Sequence, residues 1–240
     1  MLERVSCIIG KKPVILVCPY SLNKTNSDII TEHVAKSINC FAVINRGFHK
    51  SKILDIDNNF ADCNNIDHIK QPVIYEEYLL PIIKYTDKAQ KIISKINHKK
   101  WYDLFKSPIY IFHIHSCKDN LDENIQEDIG AVLGYGLGRT VNSLSCELWQ
   151  KNLFVSLWRK NSSNGDIFEG INVGRNSNEM NQYFIKHNKK DFVNSMQIEF
   201  PLSKTNNSLN SITTANTLAT VINEFLSYDD YDIKPKTKFI

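Results

Sequence analysis

The sharpest chemical signal in the sequence is His113-Ile-His115. Side chains two positions apart in a strand leave on the same face, so both imidazoles can aim at one point. Neutral imidazole is a common zinc ligand, and a strand end holds it rigidly. His113 and His115 are therefore candidate metal ligands; a pair of hydrogen-bonded core histidines is the alternative. Glu199, shortly before Pro201, can act as a general base beside such a metal or stand as an ordinary ion-paired carboxylate.

Other residues offer weaker chemistry. Arginines are few in this lysine-rich chain, and Arg46, Arg139 and Arg175 fall in loops, where a planar guanidinium fork suits a carboxylate. Gly134-Tyr-Gly-Leu-Gly-Arg139 is neither G-x-G-x-x-G nor G-x-x-x-x-G-K-[ST], so a strand-to-helix turn competes with a phosphate-binding loop. Asp55, Asp57 and Asp62 lack the glycine and terminal glutamate of a calcium loop and read as solvated carboxylates. The six cysteines are widely spaced, form no C-x-x-C, and read as reduced core thiols. Cys117 has no local base that would make it a nucleophile.

The elements that must position these groups follow from apolar patterning. Pro13–Cys18 is a buried strand ended by Pro19, Ser27-Asp28 opens a helix over Ile29–Ile38, and Phe41–Ile44 is a second buried strand. That order is a βαβ start with parallel strands. Arg46–Gln71 is a long polar stretch of the kind that is functional or disordered. A helix over Val73–Asn97 is interrupted at Pro81, and Pro108–His115 is a strand. Ile129–Leu133 reads as a strand, Val141–Lys151 as a helix and Leu153–Trp158 as another strand. Asn161–Asn178 reads as a loop or lid, Ser195–Phe200 as a strand and Ile212–Leu226 as a closing helix. The last strand buries Met196, Ile198 and Phe200 on one face, or Gln197 and Glu199 on the other. Five or six strands suffice for a single central mixed, mostly parallel sheet with helices on both faces, an α/β protein. In such sheets ligands sit outside the carboxyl ends of the strands. Tyr20-Ser21, Arg46, His113/His115/Ser116 and Gln197/Glu199 all fall at such ends.

Composition sets the outer bounds. The 240 residues fit one domain, with residues 227–240 a tail. Hydrophobic residues at 42% and charged residues at 23% argue against a disordered chain. Twenty-nine Lys and Arg against 26 Asp and Glu leave +3, too scattered a surplus to predict a nucleic-acid partner. No run of 18 apolar residues is present, so no membrane span is expected. Val5–Ile9 precedes two lysines, the reverse of a secretion signal, and a cytoplasmic location is the expectation.

The order of these clusters resembles the N-formylglutamate amidohydrolase family, which has a zinc-carboxypeptidase-like α/β fold. Cys18-Pro-Tyr-Ser21 with Ser27-Asp28 is similar to its first motif, a strand ending Pro-His-Gly/Ser-Gly before a helix that starts Thr/Ser-Asp. Asn45-Arg46 with Asp55-Ile-Asp-Asn-Asn59 is similar to its Asn-Arg and Asp-x-Asn-Arg loops. His113-Ile-His-Ser116 stands for Asp-x-His-Ser, and Gln197-Ile-Glu199 for Gln-x-Glu. Phe168–Asn172 and Asn181–Phe184 look like the loop before that last strand. The resemblance covers about residues 13–226. It departs from the family where Tyr20 replaces the first metal-binding histidine and where Lys24 and Thr25 stand in place of the glutamate ligand. Asn59 stands where the loop arginine belongs, and the arginine expected after Gln-x-Glu is missing.

The resemblance implies an amidohydrolase cutting an amide or N-acyl bond of an acidic amino acid. Zinc would sit on His115 with His113 beside it, and Glu199 would be general base. Arg46, Arg139, Asn59, Tyr20 and Ser116 would hold the substrate. A catalytic zinc takes three protein ligands and one open position, and only His115 matches the family's set. Tyrosine is a poor substitute, because its phenol must first ionise. A second reading is therefore open: a non-catalytic binding protein of the same fold that has given up its metal. A phosphate-binding module on Gly134–Arg139 is a third.

Overall fold

A computed structural model of the chain describes residues 4–20, 25–96, 109–119, 128–135, 144–169, 179–186 and 193–229. The elements run β1 (Val5–Ile8), β2 (Lys12–Cys18), α1 (Ser27–Ile38), β3 (Cys40–Asn45), α2 (Ile66–Ile69), α3 (Pro72–Ile74) and α4 (Leu80–Ile96). They continue with β4 (Ile109–Cys117), β5 (Ile129–Tyr135), α5 (Leu144–Asn161), β6 (Asp166–Glu169), α6 (Met180–Lys186), β7 (Val193–Pro201) and α7 (Ser208–Asp229). All seven strands share one sheet in the order β1-β3-β2-β4-β7-β5-β6. Pairing is parallel at β2–β3, β2–β4, β4–β7 and β5–β6, and antiparallel at β1–β3 and β5–β7. The expected mixed, mostly parallel α/β sheet is what the chain forms.

Its central strands are apolar on both faces because helices cover both. One core cluster joins Leu16, Ala42, Phe112, Ile114, Ile198 and Phe200 to residues of α1, α5 and α7. The other joins Ile15, Val17, Phe41, Val43, Ile109, Ile111 and Val193 to α4, the turn before it and α6. The β7 pattern is therefore not one buried face or the other: Met196, Ile198 and Gln197 are all buried.

Several elements differ from the sequence expectations. Leu153–Trp158 continues α5 and is not a strand, since Phe154, Leu157 and Trp158 fall at i, i+3 and i+4 and bury one helical face. The apolar run had the length of a strand, but its spacing was helical. The described residues form seven strands where five or six were expected, because β1 and the four-residue β6 are short edge strands. β6 lies inside the stretch read as a loop or lid. Gly165, at φ 97°, turns the chain into it, where a Cβ would stand 2.5 Å from the Asp128 carbonyl oxygen. Asn181–Phe184 belongs to the helix α6, not to a loop. The break near Pro81 takes the form of a π-helical turn over Tyr75–Leu79, just before the position whose missing N–H cannot join the helical ladder. Arg139, Arg175 and most of the glycine-rich segment lie outside the described residues. No helix among the described residues is long and apolar enough to cross a membrane.

Candidate functional site at the carboxyl ends of the strands

Strand alternation builds the site. On the α4/α6 face, β4 presents Ile109 and Ile111 and then His113 and His115, while β7 presents Val193 and then Ser195, Gln197 and Glu199. In the parallel register His113 lies beside Gln197 and His115 beside Glu199, with about 5 Å between neighbouring backbones. β2 flanks β4 on the other side, Val17 beside His113, and delivers Tyr20 two residues past its end. The apolar floor thus gives way to polar groups at the carboxyl ends.

Both imidazoles are neutral. Burial pushes His113 down to about 3, and its Nε2 lies 2.8 Å from Ser195 Oγ. His115 is 5% exposed; burial, then the neighbouring His113 ring and the Lys50 charge, which both oppose its protonation, hold it well below the ordinary imidazole value. The Tyr20 ring meets His115 edge-on at 5.6 Å between centroids, and its hydroxyl donates to Asp62 Oδ1. Burial and the Asp62 charge drive the Tyr20 phenol far above its usual range. Lys50 places Nζ 4.5 Å from the centre of the Tyr20 ring, a cation–π contact.

Carboxylates complete the cluster. Glu199 accepts a 2.8 Å bond from Gln197 Nε2; burial raises its pKa, opposed by that bond and by Lys50. Glu179 is pushed up to about 7 by burial and then by the charges of Glu199 and Asp62, with Lys50 opposing. It stands just before α6, whose start is tied to the polar loop: Met180 N donates to the Asn64 carbonyl at 2.7 Å, and Glu179 bridges Asn65. Asp62 also accepts from Asn64 N at 2.8 Å. It is part of the site, not the solvated loop carboxylate expected.

Of the residues singled out in the sequence, Tyr20, His113, His115 and Glu199 come together at these strand ends. Ser116 points the other way, its Oγ 2.6 Å from Ser27 Oγ and 3.3 Å from the Thr25 carbonyl. Arg46 faces α1, bonded to Asp28 at 2.7 Å, to Glu32 and to Ser6 Oγ at 2.9 Å. Asn59 accepts from Arg4 Nη1 at 3.1 Å in the loop. Lys50, Asp62 and Glu179 were missed as site residues. Only their fold position reveals them, because Lys50 and Glu179 sit in no motif. Cys117 stays a thiol, since burial pushes it up to about 12, and Cys18, Cys40 and Cys63 are buried free thiols.

Among the described residues the donor set does not fit a catalytic zinc. Among the described residues no three His, Cys, Asp or Glu side chains form a group able to hold a metal ion. His113 Nε2 is taken by Ser195 while its Nδ1 is buried without a partner, and Tyr20 is a protonated phenol tied to Asp62.

No family model matches the chain, and no characterised protein sequence does. Solved structures match its fold. Gene product Atu2144 from Agrobacterium tumefaciens superposes with a TM-score of 0.58 at 12% identity, over 95% of this chain and 97% of that one. A metallo-carboxypeptidase from Burkholderia cenocepacia gives 0.48 at 10% identity, over 95% and 66%. A bacteriophage poly-gamma-glutamate hydrolase gives 0.49 at 12%, over 95% and 92%. At 12% identity the likeness to Atu2144 is one of fold.

Proposed function

We propose that this chain is a small-molecule-binding protein on a zinc-peptidase-like hydrolase scaffold, working without a catalytic metal. Tyr20 carries this reading. It stands where the resembled family has its first metal-binding histidine, and its hydroxyl is bonded to Asp62 beside His115. A phenol held above its usual range does not ionise to ligate zinc at neutral pH. The polar strand ends then serve to bind a ligand by hydrogen bonds and charge. Zinc analysis of the full chain, purified from zinc-supplemented medium, tests this. The expected content is under about a tenth of an equivalent, unchanged by His115→Ala. A full equivalent that His115→Ala removes overturns the reading.

A second reading draws on one observation: His115 Nε2 is buried without a hydrogen-bond partner, next in register to Glu199. It makes the chain a zinc-dependent amidohydrolase acting on an N-acyl acidic amino acid, with Glu199 as general base. It requires stoichiometric zinc, and a loss of at least ~100-fold in activity on N-formylglutamate in Glu199→Gln.

A further inference from the structure

Among the described residues, Glu179 has the carboxylates of Asp62 and Glu199 as electrostatic neighbours at these strand ends, with the cation Lys50, whose ammonium lies over the Tyr20 ring. The crowding is not relieved from within. Glu179 Oε2 is buried without a hydrogen-bond partner. Two neighbouring groups, themselves deeply buried, lack partners as well: Gln197 Oε1, on a residue 2% exposed, and His115 Nε2, on a residue 5% exposed. Gln197 gives its amide N–H to Glu199, so its unpaired oxygen stands at the carboxylate that anchors the cluster. Oxygen acceptors left unmade in a buried site are costly, and a donor that reaches them is correspondingly well bound.

We infer that this cluster of strand-end acceptors binds a protonated amine, its ammonium held by Glu199 and Glu179 with Gln197 Oε1 as the neutral acceptor. This rests on the binding-protein reading above and names its ligand class. An ammonium carries three donors and no acceptor, which matches a site rich in acceptors. Bonds from such a cation to carboxylates are charge-assisted and among the stronger hydrogen bonds. A bare metal ion fits less well, because no three side chains gather as a metal-holding group among the described residues. An acidic ligand, the class implied by the family resemblance, fits worst. Among the described residues it meets three carboxylates, and Arg46 is already engaged by Asp28 and Glu32 on the other side of the sheet. The raised Glu179 carboxyl agrees, since an added positive charge lowers it again.

The test is calorimetric titration of the full chain at neutral pH with 1,4-diaminobutane, N-acetylglutamate and zinc chloride, each alone. The expected result is saturable one-site binding of the diamine with proton release, seen as a dependence of the heat on buffer ionisation, because the bound ammonium ionises Glu179. Glu199→Gln and Glu179→Gln should each weaken it at least about tenfold, the loss of one charge-assisted bond. If a glutamate variant melts early, Gln197→Leu carries the same test and should weaken binding by a smaller factor. Diamine affinity unchanged in all three variants overturns the inference. Saturable N-acetylglutamate binding without diamine binding overturns the inference and leaves the binding-protein reading standing. Stoichiometric zinc binding that the diamine cannot displace overturns both, and so does the absence of any saturable binding.

Discussion

At the carboxyl ends of the same strands, the two faces of the sheet treat their polar residues differently. On the α1 side the groups close on one another: Arg46 bridges Asp28 and Glu32, and Ser116 meets Ser27. On the α4/α6 side they stay open, with His115 Nε2, Gln197 Oε1 and Glu179 Oε2 all buried and unpartnered. Adjacent residues of one motif thus divide by parity, His113 and His115 to the open side and Ser116 to the closed one. A closed network is what stability selects, because a buried unpaired polar group costs about 1–3 kcal/mol. Acceptors left open at a strand end are the mark of a site built for something else to complete.

The largest expected effect separates two neighbours in β4. Ile114 is fully buried in the cluster with α1, α5 and α7, so Ile114→Ala should cost about 2–5 kcal/mol in urea unfolding. His115→Leu, one residue on, removes an unpaired buried nitrogen and fills its place with apolar volume. It should change stability by less than about 1 kcal/mol in either direction while weakening ligand binding. Equal losses in the two variants would mean that His115 is a structural residue, and the contrast between the faces would fail.

A smaller effect tests the closed side. Arg46→Met leaves Asp28 and Glu32, both part-buried, without their shared cation. The expected loss is about 1–2 kcal/mol, read as a fall of a few degrees in Tm, with ligand affinity unchanged. A change in affinity with no change in Tm would return Arg46 to the ligand, the role that the family resemblance implied.

The βαβ start and the sheet class were legible because buried parallel strands read as short apolar runs. Pro13–Cys18, Phe41–Ile44 and Pro108–His115 all fall within observed strands or extend one residue beyond them. Leu153–Trp158 misled because a run of six apolar-rich residues suits a buried strand as well as a helix, and only Phe154, Leu157 and Trp158 meeting one core decide between them. For the site, what could be read was which residues share a strand face. Tyr20, His113, His115 and Glu199 came together because strand ends of a parallel sheet lie side by side. Arg46 was illegible, since one residue of register at the end of β3 decides which face a side chain takes. Lys50, Asp62 and Glu179 reach the cleft along loops, where spacing carries no direction.

The smallest expected effect is a pH dependence confined to the open side. Glu179 is raised from 4.5 to about 7 in the folded chain, so folding favours its protonated form. The stability this contributes is fully present below about pH 4.5 and lost as pH rises through about 7. Glu179→Gln has no such term. Its stability relative to the parent should therefore rise between pH 4.5 and pH 7, by about 1 kcal/mol once solvent screening of a part-exposed carboxylate is allowed for. His113 contributes the opposite slope, since its folded value near 3 means stability is lost as pH falls below the ordinary 6.5. That slope is common to both proteins and cancels in the difference. A flat difference across this window would show that Glu179 is neither desolvated by burial nor set among the charges of Glu199 and Asp62. The open side would then lose the carboxylate that sets it apart from the α1 network, where Asp28 and Glu32 share one arginine.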